Sequence, residues 1–268
     1  MKETKFIVDT TLRDGEQSPG IVLRTEDKVK IAKYLDDIGI YEIEAGVPCL
    51  GRVEEEGICA ILENTSNAKI SVWSRMNVED IKKSIVCKPD IIHIGAPVSY
   101  IQIYSKLKKN KVWVQKSILE CVAVAKSQNI DVTVGLEDAS RSDIGFLLSL
   151  IKELRKEGVE TIRIADTVGV LTPNRTKELV ETIKAYSDIK IEMHIHNDLG
   201  MAVANSIIGA KAGADYIDST LFGIGERTGN CNFYDFVKAS ESIFQFAMTK
   251  KQIREVEKQV YQELKGAM

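Results

Sequence analysis

Short runs of β-branched apolar residues alternate with amphipathic segments along almost the whole chain. Apolar residues recur at helical spacing over residues 26–38 and again over residues 143–158, where Gly158 stands at the position expected just past a helix end. The short β-branched runs are typical of buried parallel strands, and an amphipathic segment follows each of them. Eight of them are predicted to be strands: residues 6–8, 41–44, 70–73, 91–94, 132–134, 161–164, 191–195 and 216–218.

The number of strand–helix units predicts a closed α/β barrel. Eight units in about 250 residues match a (β/α)8 TIM barrel in count, size and alternation. An open doubly wound sheet needs fewer units, and its glycine fingerprint after the first strand is absent. We therefore predict a catalytic TIM barrel over residues 1–248 and an extra C-terminal helix over residues 249–268. The apolar face of that helix either packs on the barrel or contacts another chain: Ile253, Val256, Val260 and Leu264.

Composition narrows the class of protein without pointing to a chemistry. The 268 residues are 44% hydrophobic and 28% charged, which is average for a globular protein, and the net charge of −3 gives no reason to expect nucleic acid as a partner. No apolar run approaches the roughly 20 residues of a membrane span, and the first residues do not begin a signal peptide. Five scattered cysteines without a Cys-x-x-Cys pair indicate reduced thiols, so we expect a cytoplasmic protein.

Two of the three histidines lie two residues apart on the seventh predicted strand. Because alternate strand residues share a face, His194 and His196 project in the same direction. Asp14 lies beside Arg13 in an unusually polar loop after the first strand, and active sites of such barrels form where strands end. One carboxylate and two imidazoles predict a metal site that favours Zn, Mn, Fe or Ni over Ca, and Asn230 offers a further oxygen after the eighth strand.

Further polar residues follow other predicted strands. Glu137 and Asp138 come after the fifth, where we expect one to face the pocket and the other to cap the next helix. Thr167 follows the sixth strand, and its hydroxyl could bind a carboxylate. His93 lies on the fourth strand, and the alternation of strand side chains leaves open whether it faces into the barrel. Together these groups suit a metal that holds a small oxo acid by two oxygens, with Arg13 ready to stabilise negative charge that develops during a reaction.

Three segments resemble the motifs of one enzyme family, in the family's order: residues 9–17, 194–200 and 223–230. Over about residues 6–242 the chain resembles the isopropylmalate synthase/homocitrate synthase family, the metal-dependent, Claisen-condensing acyltransferases built on TIM barrels. Within that family it is most similar to the homocitrate synthases of the nitrogen-fixation type.

The resemblance implies a reaction and a role for each candidate residue. Acetyl-CoA and 2-oxoglutarate would give homocitrate and CoA, with homocitrate feeding the nitrogenase cofactor. Arg13 would stabilise the enolate and the alkoxide, Gln17 and Glu137 would order the metal's surroundings or the substrate, Thr167 would bind a substrate carboxylate, and His93 would line the pocket. The resemblance also implies four ligands to a divalent ion (Mg, Mn or Zn): Asp14, His194, His196 and Asn230.

Two departures from the family pattern bear on substrate and partner. Where lysine-pathway homocitrate synthases carry an Arg and a Ser for the distal carboxylate, this chain has Thr133 and Gly135, so Arg75, Ser99 or Arg141 is expected to bind that group. The family's synthases also continue into a helical region beyond the barrel. We therefore expect a homo-oligomer, or a second polypeptide that supplies this region, with a truncated paralogue and a short self-sufficient synthase as alternatives.

Other functions fit parts of the same pattern. Isopropylmalate, citramalate or Re-type citrate synthesis would change only the oxo acid. A hydroxymethylglutaryl-CoA-type lyase shares the barrel and the metal, but its usual Cys-bearing glycine-rich loop is not present. A non-catalytic barrel that docks a partner is expected to lack metal ligands, whereas this chain retains all of the candidates.

Overall fold

The computed structural model describes residues 2–267 and closes eight parallel strands into a barrel. Each barrel strand pairs with the next in chain order, and β9 pairs back with β2, which confirms the predicted (β/α)8 TIM barrel. A separate two-stranded parallel sheet joins β1 to β10. The strands are β1 Glu3–Thr4, β2 Phe6–Asp9, β3 Glu42–Glu44, β4 Lys69–Arg75, β5 Ile91–Pro97, β6 Asp131–Glu137, β7 Thr161–Asp166, β8 Lys190–Ile195, β9 Tyr216–Ser219 and β10 Phe244–Gln245.

Helices follow the barrel strands, and several begin at residues that cap them. The side chains of Asn77, Asn110, Asp143 and Asn232 each accept a backbone N–H from the first turn that follows. A π-helix, Ile101–Lys106, intervenes between β5 and the next α-helix and was not predicted. The α-helices are α1 Thr25–Asp37, α2 Arg52–Asn64, α3 Val78–Val86, α4 Lys111–Lys126, α5 Ile144–Lys156, α6 Pro173–Tyr186, α7 Ala202–Ala212, α8 Phe233–Ser240 and α9 Lys250–Ala267.

The hydrophobic core lies between the barrel wall and the surrounding helices. Outward-facing strand residues such as Ile43 and Ile162 are completely buried there. The inside of the barrel is charged instead: Arg163 on β7 reaches across to Glu44 on β3, with Nη1 and Oε1 2.8 Å apart. Strand alternation explains the division, because neighbouring residues such as Glu42 and Ile43 face opposite sides of the wall.

The C-terminal helix α9 packs on the outside of its own barrel. Ile253, Val256 and Val260 are 0%, 4% and 0% exposed, and the helix lies against α1 and α8. The alternative that this face contacts another chain is therefore wrong for these three residues, because the chain itself covers them. The side chain of Leu264 lies outside the described residues. Over residues 2–267, none of the helices has both the length and the apolar character needed to cross a membrane.

Candidate metal centre and active site

A carboxylate and two imidazoles converge where β2 and β8 end. The Nε2 atoms of His194 and His196 are 3.3 Å apart, and Asp14 Oδ2 lies 3.4 Å from the first and 3.9 Å from the second. All three side chains are buried. Such separations suit atoms that each lie about 2.0–2.2 Å from one shared ion. The spacing that predicted a metal site thus corresponds to a possible Asp/His/His centre in three dimensions.

Neighbouring groups orient these three ligands, and one of them, Asn230, also carries an unpartnered oxygen. His194 Nδ1 lies 2.9 Å from Asp218 Oδ2, which leaves Nε2 directed at the centre. The Nδ2 of Asn230 donates to Asp14 Oδ1 at 2.8 Å, whereas its Oδ1 is buried without a hydrogen-bond partner among the described residues. Because an unpartnered buried carbonyl oxygen is costly, a cation at this place would satisfy it. The donor set of oxygens and imidazole nitrogens fits a divalent ion.

The loop after β9 approaches this centre closely at a glycine. A methyl group on Gly225 would lie 2.0 Å from Asn230 Nδ2 and 2.8 Å from Asp14 Oδ1, and the residue has φ of +151°. The loop is fixed further by the Asn197 N–H, which donates to the Gly229 carbonyl at 2.9 Å. Glycine at position 225 therefore makes room for the amide and the carboxylate.

A closed ring of ion pairs connects the centre to the barrel interior. Arg13 Nη1 lies 2.8 Å from Asp14 Oδ2, and Arg13 Nε lies 2.5 Å from Glu44 Oε2. Arg163 joins Glu44 to Asp218, with Nε 2.9 Å from Asp218 Oδ2, and Asp218 contacts His194. We call this set the ion-pair ring: Arg13, Glu44, Arg163, Asp218, His194 and Asp14.

These contacts set the protonation of the three candidate ligands. Burial alone raises the pKa of the Asp14 carboxyl, but Arg13 and the two histidines outweigh it and hold that pKa well below its ordinary value. Burial lowers the pKa of His194, yet its hydrogen bonds to Asp14 and Asp218 raise it overall. Burial and the neighbouring His194 lower the pKa of His196 to about 4. At neutral pH, Asp14 is ionised and His196 is neutral, as metal ligands must be.

A cavity of about 550 Å³ opens beside the centre at the carboxyl ends of the strands. Its volume lies in the range of small-molecule sites, and its place is the one where TIM barrels carry their active sites. Eight of the predicted site residues line it: Arg13, Asp14, Gln17, His93, Glu137, Thr167, His194 and His196. Asn230 is not among the residues that line the cavity, but it contacts one of them through its hydrogen bond to Asp14.

Three of the lining residues have distinct chemical states. His93 faces inward, and burial together with Arg163 lowers its pKa well below the ordinary value, so the imidazole is neutral at neutral pH. Burial raises the pKa of Glu137. Thr167 Oγ1 accepts the N–H of Asp138 at 2.9 Å, which leaves the hydroxyl proton free for a ligand.

The structure does not bring two of the expected carboxylate-binding residues to the cavity. Ser99 is completely buried, and its Oγ accepts the Gln102 N–H at the start of the π-helix. Arg141 holds Asp138 with two hydrogen bonds, Nε to Oδ1 at 2.8 Å and Nη2 to Oδ2 at 2.7 Å. The expectation that Asp138 caps a helix is also wrong, because its carboxylate is taken by this arginine. Arg75 does line the cavity.

Sequence reasoning missed the buried charges inside the barrel. Glu42 and Glu44 alternate with apolar residues on β3, and Arg163 does so on β7, a pattern that places charges on the inner face. This alternation of charged and apolar residues is the sequence signal for charges inside the barrel. Gln102 and Lys106, which line the cavity from the π-helix, had no comparable signal because their helix type was not predicted.

Comparison with known proteins agrees with this architecture. The HMGL-like family model matches residues 5–260. The chain is 45% identical over 237 residues to "Homocitrate synthase subunit alpha" of Clostridium pasteurianum, covering 88% of each protein. It is 43% identical over 239 residues to "2-isopropylmalate synthase 2" of Caldanaerobacter subterraneus; this covers 89% of the chain but only 62% of that relative's length.

Solved structures agree at the level of the fold. The HMG-CoA lyase from Brucella melitensis superposes with a TM-score of 0.84 at 17% sequence identity, covering 98% of this chain and 99% of the lyase. At that identity the likeness shows a shared barrel and carries no argument about the reaction.

Proposed function

The chain belongs to the HMGL-like family, and on this premise we propose that it condenses acetyl-CoA with 2-oxoglutarate to give homocitrate and CoA. The observation that carries the proposal is the Asp14/His194/His196 centre with Arg13 beside it in one cavity. The relative named as a homocitrate synthase subunit supports the choice of oxo acid. We propose nitrogenase cofactor synthesis as the use of the product, since the sequence motifs resemble those of nitrogen-fixation-type synthases.

The metal would be Mg, Mn or Zn, held by Asp14, His194, His196 and Asn230. When bound, a divalent ion supplies Lewis acidity to the 2-oxo and carboxylate oxygens of the oxo acid. The chain's own contribution to this step is to present an ionised Asp14 held by Arg13, a neutral His196, and a His194 ring oriented by Asp218. Such preorganisation lowers the cost of binding the ion and its substrate.

Arg13 is the residue that we propose to stabilise the developing charge. Burial alone lowers the pKa of its guanidinium, but Glu44 and Asp14 raise it overall, so the group stays charged. Its Nε and Nη1 hold these two carboxylates, whereas Nη2 makes no hydrogen bond to the described residues. A fixed, buried cation of this kind stabilises the enolate oxygen of acetyl-CoA and then the alkoxide formed on attack.

The remaining lining residues position the oxo acid. Thr167 donates its free hydroxyl proton to a substrate carboxylate. Glu137 lines the cavity, and burial raises the pKa of its carboxyl above the ordinary value. Gln17 and His93 complete the lining. The acetyl methyl carbon loses a proton and bonds to the 2-oxo carbon, whose oxygen gains a proton. Water then cleaves the thioester, which leaves a new carboxylate and releases CoA and a proton.

We also propose that the chain acts with a further polypeptide, as a homo-oligomer or with a different subunit. The similar length of the relative named as a subunit supports this. Exposed apolar side chains follow three barrel strands at the end that bears the cavity, with Leu50, Tyr100 and Leu199 exposed by 74%, 67% and 53%. We propose that this rim is where the partner binds, with residues 1–248 as the catalytic barrel and residues 249–268 as an added helix.

A cytoplasmic location is part of the same proposal. All five cysteines are free thiols, as expected in a reducing compartment. Acetyl-CoA is also a metabolite of that compartment.

The proposal predicts which oxo acid releases CoA. Purified chain, alone and with candidate partner polypeptides, is mixed with acetyl-CoA, a divalent ion and one oxo acid at a time, and thiol release is followed. We expect release with 2-oxoglutarate and at least a 100-fold loss in a His196→Ala variant, since a lost ligand removes the metal-dependent step. A Lys109→Ala variant, changed outside the cavity lining, serves as the matched control.

The other outcomes are equally informative. Release with 2-oxoisovalerate, pyruvate or oxaloacetate in place of 2-oxoglutarate would replace the proposed substrate by that of an isopropylmalate, citramalate or Re-citrate synthase. Cleavage of hydroxymethylglutaryl-CoA would indicate a lyase. No reaction under every pairing would favour a docking role.

A further inference from the structure

Four cationic side chains line the cavity, and one of them differs from the rest. Arg13 and Arg163 belong to the ion-pair ring, and Arg75 holds Asp80 through Nε to Oδ2 at 2.5 Å and Nη2 to Oδ1 at 3.2 Å. Lys106 makes no hydrogen bond or ion pair with any residue whose side chain the structure describes. A cation without a carboxylate partner at the edge of a binding cavity is available to an anionic ligand.

Lys106 lies on the opposite side of the barrel mouth from the metal centre. It ends the π-helix that follows β5, whereas the candidate ligands lie on or after β2, β8 and β9. Around the closed barrel β9 is four positions from β5 in either direction, and β2 and β8 are three positions away by the shorter way. Glu137 ends β6, the strand next to β5, and lines the same cavity. Among the charged groups that act on its carboxyl, Lys106 has a larger effect than Arg13.

The same helix presents a second free polar group. Gln102 lines the cavity four residues before Lys106, and its Nε2 can donate a hydrogen bond to a carboxylate, whereas its Oε1 can only accept one. Its backbone N–H is fixed by Ser99 Oγ, so the start of this helix is anchored. π-Helical turns are frequent at functional sites, and here one brings an amide and an ammonium to one wall.

We propose that Lys106, together with the Nε2 donor of Gln102, binds the distal carboxylate of a dicarboxylic 2-oxo acid whose 2-oxo end lies at the metal centre. This makes Lys106 the specificity-determining residue of the cavity, in the place that Arg75, Ser99 and Arg141 do not fill. The inference rests on the proposed function for the position of the 2-oxo end. It adds the recognition of a second negative charge on the same ligand, in the same cavity.

Equilibrium binding to the Mn²⁺-loaded protein tests the proposal without relying on turnover. Calorimetry compares 2-oxoglutarate with 2-oxobutyrate, which lacks the distal carboxylate. We expect Lys106→Gln to weaken 2-oxoglutarate binding by about 10- to 100-fold, the effect of losing a charge-assisted hydrogen bond, and to leave 2-oxobutyrate binding unchanged. Lys106→Arg keeps the charge and should restore most of the affinity, and Lys108→Gln is the matched control because it changes a nearby exposed lysine outside the lining.

Three results would overturn this assignment. These are equal binding of both oxo acids by the wild-type protein, an equal loss for both in Lys106→Gln, and a loss of acetyl-CoA binding alone in Lys106→Gln. The last result would place a CoA phosphate at Lys106. The proposed function fails separately, when the wild-type protein binds 2-oxoglutarate with Lys106-dependent selectivity yet releases no CoA from acetyl-CoA with it under any pairing.

Discussion

Arg13 and Lys106 carry the same charge in one cavity but are held very differently. Arg13 is fixed by Glu44 and Asp14, so its guanidinium does not have to reorganise when charge develops next to it. Lys106 has a flexible stem and no carboxylate partner among the described side chains, so it can follow the end of a ligand. The difference in partners, rather than in charge, separates a group suited to the reaction from one suited to recognition.

Asp9, at the end of β2, makes folding stability depend on pH. Its side chain is completely buried, with Oδ1 accepting the Thr11 N–H at 2.9 Å and Oδ2 without a partner among the described residues. Burial raises its pKa from 3.8 to about 7 although the hydrogen bonds from Thr11 oppose the rise. Between these values the unfolded chain has lost the proton that the folded chain keeps, so stability falls as pH rises and the loss is complete above about pH 7.

An Asp9→Asn substitution should remove this dependence. The amide keeps the acceptor for Thr11 and cannot ionise, so the free energy of unfolding at pH 8 should rise, by about 4 kcal/mol at most. Urea titrations from pH 4 to pH 8 measure the difference between variant and wild type. Asp37→Asn, at an exposed position, should leave the curve unchanged, and a wild-type-like pH slope in Asp9→Asn would contradict the buried, ionisable state.

At the scale of single residues, the sequence predicted how residues close together in the chain are arranged and missed contacts between residues far apart in the chain. His194 and His196 are two positions apart on one strand, so their shared direction follows from the strand period alone. The contacts of Arg163 with Glu44 and Asp218 join strands that are far apart in the sequence. Such partners are defined only once the barrel closes, which is why these residues were not recognised.

At the scale of elements, strands were predicted better than the segments that follow them. All eight barrel strands lie where the apolar runs are, although β5 and β6 extend to Pro97 and Glu137, beyond the apolar cores of those runs. The extra residues pair in the ladder, and in β6 two of them, Gly135 and Glu137, line the cavity. The π-helix escaped prediction because its hydrogen-bond pattern has no distinct apolar period.

The loop after β9 gives a prediction at this scale. Gly225→Ala should weaken metal binding by at least 10-fold, because the added methyl group would displace the Asn230 amide and the Asp14 carboxylate. His196→Ala, which removes a ligand, provides the reference for complete loss. Equilibrium dialysis with Mn²⁺ and with Zn²⁺ measures both, and circular dichroism checks that the barrel stays folded.

Gly20→Ala is the matched control for this substitution. Gly20 also has a positive φ, +85°, but a methyl group there would meet no atom within 4 Å. Only the backbone strain of about 1 kcal/mol applies, and metal affinity should not change. Equal metal affinity in the Gly225 and Gly20 variants would show that the loop does not constrain the centre.

For the whole molecule, the sequence predicted the barrel but not how its last helix is used. The alternation of strands and helices was enough for the fold, because eight such units have few other ways to bury their apolar faces. The apolar residues along one face of α9 predict only that this face is buried, by the barrel or by another chain. The structure shows that the barrel does, with Lys30 Nζ on α1 also 2.8 Å from Glu263 Oε2 on α9.

Removing apolar volume from α9 should therefore destabilise the single chain. Ile253→Ala is expected to lower the free energy of unfolding by about 2–4 kcal/mol, because a completely buried side chain leaves a cavity. Gln259→Ala on the exposed face should change it by less than about 0.5 kcal/mol. Urea unfolding at several protein concentrations measures both, and a loss for Ile253→Ala that appears only at high concentration would mean that another chain covers this face.

The ion-pair ring also divides the cavity into a part that resists mutation and a part that tolerates it. Each ring member contacts two others in a buried setting, and removing one partner of a buried pair of full charges costs about 3–5 kcal/mol. The two residues of the π-helix that line the cavity, Gln102 and Lys106, form no ion pairs with the described side chains. A lineage carrying this barrel can therefore exchange one oxo acid for another by point substitutions at these positions while the catalytic half stays intact, and directed evolution of its substrate range should concentrate its libraries there.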